Sequence, residues 1–520
     1  MPALALEPWE RLSREAGLLR GVLLTLSSGL GGTLLAFLAA AAMAAAAGER
    51  LGQGARRVLL ALLLSLPHLA SAIGFAFLLA PAGWLARLAS PWLTGWQRPP
   101  DLLTVNDPLG LALLFGLALR EAPFLLLAIA AAQSQIATGR ILAIARTTGH
   151  GPAEAWLKLV LPQLYRQIRL PLYAVLVFAL SVVDMALVLG PSTPPVLAVQ
   201  VLGWLTDPDP SWHPVGAAGA VVQTLVIMAA IGAWRFAEFA VARAARSWLT
   251  AGPSASLERW LRVAGRIAGG AVFGIGIAEL VAIVLWSFSG TWRFPAAWPQ
   301  SFTFDSWFWA TRGLLSAVAV TLVVGGLAAL IALVAVTACA EQEARAGTRS
   351  EARVLALAYL PLLVPQIGFL FGLQVLLVRL GLDATLAGVV WAHLVFVLPY
   401  TVLMLRVPYL ALDGRHVAAS LSLGGSPART FWRVKLPLLR RPLAVALAVG
   451  FSVSVAQYLP TLFAGAGRYP TLTTEALALA TGGDRRLAAV AALLLALLPL
   501  LALATALAVR SPRLGHGQPD

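Results

Sequence analysis

From Leu487 to Val509 the chain carries no charged side chain, and from Leu18 to Ala47 only Arg20 interrupts an otherwise uncharged run. About 20 apolar residues are enough for a helix to cross the hydrocarbon core of a bilayer. Comparable stretches recur at about 18–47, 58–80, 109–132, 171–190, 214–238, 266–289, 309–339, 353–377, 385–407, 441–461 and 486–509. Hydrocarbon offers no water to a backbone N–H or C=O, so repeated spans of this kind must be helical. The expected fold class is therefore all-α: a polytopic membrane protein of about 11 transmembrane helices. Pro67, Pro361 and Pro365 fall inside these runs, which membrane helices tolerate because neighbouring groups satisfy the freed carbonyls. Charged residues make up only 12% of the chain, against about 25% in a soluble protein.

The net charge of +15 raises the prospect of nucleic acid, but the basic residues form no tail or stripe. They sit between alternate apolar runs. Arg50, Arg56 and Arg57 follow the first run. Arg140, Arg146, Lys158, Arg166 and Arg169 follow the third, and Arg243, Arg246, Arg259, Arg262 and Arg266 the fifth. Arg345, Arg349 and Arg353 follow the seventh, and Arg415, Arg429, Arg433, Lys435, Arg440 and Arg441 the ninth. The intervening loops carry Asp101, Asp107, Asp207, Asp209, Asp305 and Asp383, with many Trp and Pro. Basic loops stay on the cytoplasmic side, so the N-terminus is expected outside and the C-terminus, with Arg510 and Arg513, inside. The chain is expected to meet lipid and no nucleic acid. A single cysteine, Cys339, excludes an intrachain disulfide and a four-cysteine metal site. Residues 1–17 lack the basic start and short apolar core of a cleaved leader.

The breaker-rich segment Ser247–Glu258 divides the chain into a first half, 1–250, with about five spans, and a second, 251–520, with about six. A repeat links the halves. The segment 143–162 contains Gly149, Pro152, Trp156, Lys158 and then Leu161-Pro162. The segment 418–437 contains Gly424, Pro427, Phe431, Arg433 and then Leu436-Pro437. Each landmark recurs 275 residues later. A glycine that ends one short helix and a proline that opens the next read as helix–turn–helix. Such a unit can rest in the headgroup layer. Its duplication argues instead for docking into a partner with two equivalent sockets.

These segments resemble the EAA loop of ABC-importer permeases, where Glu-Ala-Ala precedes a glycine and a Leu-Pro ending. The acidic position is Ala143 in one copy and Ala418 in the other. The resemblance covers nearly the whole chain, and the fused two-half form is similar to the thiamine and ferric-iron branch. The tail from Gln457 to Glu475 looks most like that of an uncharacterised fused member near the thiamine transporters. It implies that residues 143–162 and 418–437 each engage one subunit of an ABC ATPase dimer on the cytoplasmic side. It further implies a periplasmic substrate-binding protein, location in the bacterial inner membrane, and a substrate such as a thiamine-like compound, ferric iron or a small oxyanion. No Gly-x-x-x-x-Gly-Lys-Ser/Thr phosphate loop occurs in the chain, so ATP is expected on the partner, with no cofactor on this chain.

The second half has a span, 266–289, ahead of the lead-in Asp305–Gly313. The first half has none ahead of the similar Glu7-Pro-Trp-Glu-Arg-Leu and Arg20-Gly21. Either this protein lacks that peripheral helix or its true start lies upstream, making 12 spans. Ionisable residues within spans are costly and are functional candidates. Asp184 leads these, near the position that Gln457 takes in the second half, as candidates for the substrate pathway. His68, Glu121 (beside Arg120), Glu279 and His393 follow, each with a structural alternative as a snorkelling, kink-capping or helix-pairing group. No catalytic or metal-ligand cluster stands out, so the chain is not expected to be an enzyme. An ion-coupled secondary transporter would use intramembrane carboxylates and need no docking loops. A membrane-embedded enzyme would need clustered His, Asp or Glu near one interface.

Overall fold

A computed structural model of the chain describes residues 6–48, 63, 65–346, 357–362 and 364–509. Arg50, Arg56, Arg57, Arg349, Arg353, Arg510 and Arg513, together with residues 58–62 and 353–356 of two expected spans, lie outside the described residues. Among the described residues regular structure is helical apart from one isolated bridge between Ser289 and Phe302. Among the described residues nine helices are long and apolar enough to cross a membrane.

Three of the eleven expected stretches differ from single spans: 171–190, 353–377 and 441–461, where the helix Leu436–Val455 ends before Leu459–Gly465 begins. The stretch 171–190 is divided, because Val182 is extended (φ −64°, ψ 134°) between the helices Leu161–Ser181 and Asp184–Leu189. Within 353–377 the described helix is Gln366–Arg379, too short to cross alone.

The 275-residue repeat extends well beyond the two loops. Helices begin at Leu111 and Leu386, at Leu161 and Leu436, at Asp184 and Leu459, and at Leu197 and Leu472. The break after Ser181 thus has its counterpart after Val455. A break inside an apolar region strands backbone groups that need partners. In the first half Gln223 Nε2 donates to the Leu180 carbonyl at 2.8 Å. In the second, the Thr473 hydroxyl donates to the carbonyl of Val455, the residue equivalent to Leu180. At the next helix start, Leu197 N–H donates to Thr25 Oγ1 at 2.9 Å, and Leu472 N–H to Thr321 Oγ1 at 2.8 Å. The same backbone vacancies are filled in both halves by polar side chains from neighbouring helices.

Packing divides the chain into two units differently from the repeat. One unit takes in the residues up to Gly313 with Leu363–Gly372 and Ala476–Leu493; the other takes in Leu314–Leu362, Leu373–Glu475 and the residues from Leu494 onward. In the first unit the helix Ala255–Phe288 lies along Leu18–Ala47 and His68–Leu79. Small residues permit the approach, as is usual between membrane helices. A Cβ on Gly265 would sit 2.3 Å from the Ala42 carbonyl oxygen, and one on Gly276 would sit 2.6 Å from the Leu63 side chain. Glu279 of this helix accepts a hydrogen bond from Ser71 at 2.8 Å. In the second unit Val336, Ala340, Leu405, Tyr409, Leu439 and Ala446 form a buried apolar cluster.

Replacing Gly265 by Leu must push the Ala255–Phe288 helix off its seat. Overpacking of this kind costs about 1–3 kcal/mol. Thermal unfolding of the detergent-purified chain should show Gly265→Leu melting below the parent, while Gly270→Leu, whose Cβ meets open space, should melt with it. Equal melting of all three would show that the close contact does not hold this helix.

Candidate functional site

Both repeated segments form the same backbone structure. In the first, the helix Thr138–Thr147 ends before Gly149, which takes φ +81°. A short helix Pro152–Ala155 follows, then a π-helical turn Trp156–Val160, then the long helix from Leu161. In the second, Gly414–Ser422 ends before Gly424 at φ +83°. Pro427–Thr430 follows, then a π-helical turn Phe431–Lys435, then the helix from Leu436. Only glycine adopts that positive φ without steric cost, which explains the glycine in each copy. Isolated π turns are rare and concentrate at functional sites. Two at equivalent positions mark the loop as a conserved geometry within this one chain.

The side chains that hold each loop differ. A short helix opening at proline leaves the N–H of its third residue without an intrahelical partner. In the second copy that residue is Arg429, and its N–H donates to Ser426 Oγ at 3.3 Å as an ordinary cap. In the first copy it is Glu154. Its N–H donates to Glu258 Oε2 at 2.8 Å, a carboxylate from the segment joining the two halves. The capping position there is Gly151, and a Cβ on it would lie 2.4 Å from the Glu258 carboxylate. The distant carboxylate occupies the space where a local serine would stand.

Glu154 completes the attachment. Its carboxylate accepts the Ser254 N–H at 3.0 and 2.9 Å and meets Lys158 Nζ at 2.9 Å, with both side chains buried. Lys158 also donates to the carbonyls of Ala251 and Gly252. Burial alone would raise the Glu154 carboxyl, but the hydrogen bonds from Lys158 and Ser254 outweigh it and hold it below the usual carboxylate range. Trp156 is fully enclosed, and its indole N–H donates to Gln133 Oε1 at 3.3 Å. In the second copy the anchor is Lys435, which donates to Glu341 at 2.7 Å; Glu341 also takes Arg345 and the Tyr409 hydroxyl.

The repeated landmarks therefore divide into two groups. Gly149, Pro152, Pro162, Gly424, Pro427, Arg433 and Pro437 are exposed, as are Ala143 and Ala418. Leu161, Phe431 and Leu436 are half-buried, while Trp156 and Lys158 are buried. Lys158 and Arg433 share a sequence position but not an environment. Leu423 is 88% exposed and Trp432 is 68% exposed, giving the second copy a bare apolar surface that its sequence pattern did not single out. Glu154, Glu258 and Ser254 were likewise missed. The four-residue spacing of Glu154 and Lys158 was the available signal.

The pathway candidates gather within each half. In the first, His68 Nε2 and Glu121 Oε1 are 2.9 Å apart, and the His68 ring packs on Phe178. Arg120 donates to the Leu66 carbonyl at 2.7 Å and lines, with Glu279 and Ser71, a cavity of about 20 Å³. Asp184 is half-buried at the start of the helix that follows the break. In the second half the corresponding polar groups centre on His393. His393 bridges Ser454 and Thr461 at 2.7 and 2.9 Å, and Gln457 Nε2 donates to the His393 carbonyl at 3.2 Å. Leu459 occupies the position equivalent to Asp184, with Gln457 two residues before it. Among the described residues no group of three or more His, Cys, Asp or Glu side chains is arranged to hold a metal ion.

No family model matches the chain. Over 506 residues, 96% of this chain and 90% of the relative, it is 32% identical to the inner membrane ABC transporter permease protein YnjC of Escherichia coli strain K12. Over 177 residues, 31% of this chain and 76% of the relative, it is 30% identical to the molybdenum transport system permease protein ModB of Azotobacter vinelandii.

Two outcomes follow from the first loop. Glu258→Ala should destabilise it by about 1 kcal/mol, the usual cost of a lost cap, and should speed hydrogen exchange at the Glu154 amide. Gly151→Ser added to Glu258→Ala restores a local cap in the vacated space and should slow that exchange again; no recovery would refute the capping role. Because Glu154 titrates below its unfolded value of about 4.3, its stabilisation is complete above that pH and is lost as pH falls through the lowered folded value. Protection of the Ser254 amide, measured against its intrinsic exchange rate at each pH, should therefore hold through pH 5 and fall only in stronger acid.

Proposed function

The chain belongs to the ABC transporter permease family, multi-pass proteins of the inner membrane that leave ATP hydrolysis to a separate subunit, and we propose that it is the fused permease of an importer. The halves 1–250 and 251–520 form the two sides of the translocation pathway. Each presents one docking segment, 143–162 or 418–437, to one subunit of an ATPase dimer. Closure of that dimer on ATP moves the halves between inward-facing and outward-facing arrangements, and a periplasmic binding protein delivers the solute.

The observation that carries this reading is the duplicated loop. The positive-φ glycine, the proline-led short helix and the π turn recur at equivalent positions on unrelated supporting side chains. Backbone geometry kept while its supports change is what a fixed external socket requires. The exposed members, Gly149, Pro152, Pro162, Gly424, Pro427, Arg433 and Pro437, would face the ATPase. Trp156, Lys158, Leu161, Phe431 and Leu436 would set the helix behind them.

For the solute, the groups near the broken helices are the relevant chemistry. Asp184, with the His68–Glu121 pair, supplies carboxyl groups in the first half, and Gln457 with His393 supplies amide and imidazole groups in the second. That pairing favours a small cation such as a thiamine-like compound or ferric iron. A small oxyanion is the competing class, since ModB is named for molybdenum transport.

The test joins a partner knockout to a loop substitution. Gly149→Trp and Gly424→Trp add a bulky residue where the backbone has positive φ, a strain of about 1–2 kcal/mol before any clash with a partner. Each should lower uptake and solute-stimulated ATP hydrolysis about tenfold or more without preventing membrane insertion. Deleting the ATPase should abolish uptake. Uptake that persists without the ATPase, and in the double tryptophan variant, would overturn the importer reading in favour of an ion-coupled carrier.

A further inference from the structure

The helix Ala255–Phe288 has its Glu258 end at the first docking loop, and at about 1.5 Å per residue its Phe288 end lies about 50 Å away. There an open cleft of about 680 Å³ is lined by Arg87, Arg485, Arg486, Trp286, Trp292 and Asp484. Arg87 is only 6% exposed. Its guanidinium donates to the carbonyls of Ala82, Ala296 and Trp292 at 3.0, 3.3 and 3.3 Å and lies over the Trp292 ring. Arg485 donates to the Ala82 carbonyl at 3.2 Å, and Arg486 to the Gly290 carbonyl at 3.5 Å.

These cations are not neutralised. None of the three makes an ion pair among the described residues. Asp484 Oδ1 caps its own helix, accepting the N–H groups of Arg486 and Leu487. Each guanidinium carries five N–H donors, so Arg485 and Arg486 keep most of theirs for an outside acceptor. The position is also unusual. Basic residues are biased to the cytoplasmic side, and these three stand at the opposite end. Trp286 packs on Trp292, and Trp84 on Trp298, forming the aromatic cluster expected at headgroup depth.

We propose that this cleft is a phosphate-binding site on the outer face, in which Arg485 and Arg486 grip the oxygens of a phosphate group while Arg87 fixes the walls. Guanidinium forks match phosphate oxygens in pairs. The phosphate can come from the headgroup of an anionic phospholipid or from a soluble phosphate.

The full chain with its ATPase partner, in nanodiscs of phosphatidylcholine with phosphatidylglycerol, is the material for the test. Native mass spectrometry reads retained phosphatidylglycerol, and calorimetric titration in phosphatidylcholine-only discs reads binding of inorganic phosphate. Arg485→Gln with Arg486→Gln should cut retention or phosphate affinity about tenfold or more, and the paired lysine replacements should keep most of it. Arg486→Gln alone, at an exposed side chain with one long hydrogen bond, serves if the double variant fails to fold. Loss of phosphatidylglycerol identifies a lipid source; loss only of inorganic phosphate binding identifies a soluble one. If neither reading differs between the parent and these variants, the site does not exist.

Discussion

Hydrocarbon leaves no unpaired backbone group a place to go, and the arrangement of this chain follows from that. Most of the backbone meets the requirement by staying helical. The informative places are the two where it does not, after Ser181 and after Val455. There Gln223 and Thr473 supply donors to the stranded carbonyls, and Thr25 and Thr321 accept the amides that restart the chain. A polar residue on a neighbouring helix is needed for every break. The breaks therefore fix which helices must adjoin within each half, with Asp184 just after the first break and Gln457 just after the second.

Much of this was legible in the sequence. Apolar runs located the nine membrane-length helices found among the described residues, and the spaced glycine, proline and Leu-Pro landmarks located both loops. What the sequence left hidden has physical causes. The stretch 171–190 reads as one span because Val182 and Val183 are as apolar as their neighbours, and an extended valine leaves no mark on hydropathy. Lys158 matches Arg433 by position, yet Lys158 is held by Ala251 and Gly252, about 100 residues further on, whereas Arg433 is exposed among the described residues. A contact of that range has no local signature. Arg485 and Arg486 looked like the ordinary start of a span, and only the fold brings Arg87 beside them.

The two halves keep a common backbone and differ in the chemistry supporting it. Glu258 substitutes for Ser426 as a cap, and Gly151 stands where a serine would collide with it. Where the first half pairs His68 with Glu121, the second sets His393 between the hydroxyls of Ser454 and Thr461. Duplicated surfaces that meet equal partners are held to the same shape, whereas the interior behind them is free to change. One consequence is an unequal pair of loops. The first is tied down from within by Glu154 and Lys158; the second has Leu423 and Trp432 bare.

The central claim is that both loops contact an ATPase, and cross-linking from the loops tests it most directly. A photoreactive residue at Thr148 and, separately, at the equivalent Leu423, both exposed, would be irradiated in membranes containing the ATPase. The account predicts a covalent product with the ATPase from each position, altered in yield when ATP is hydrolysed. An ATPase that co-purifies with the chain yet links to neither position would contradict it.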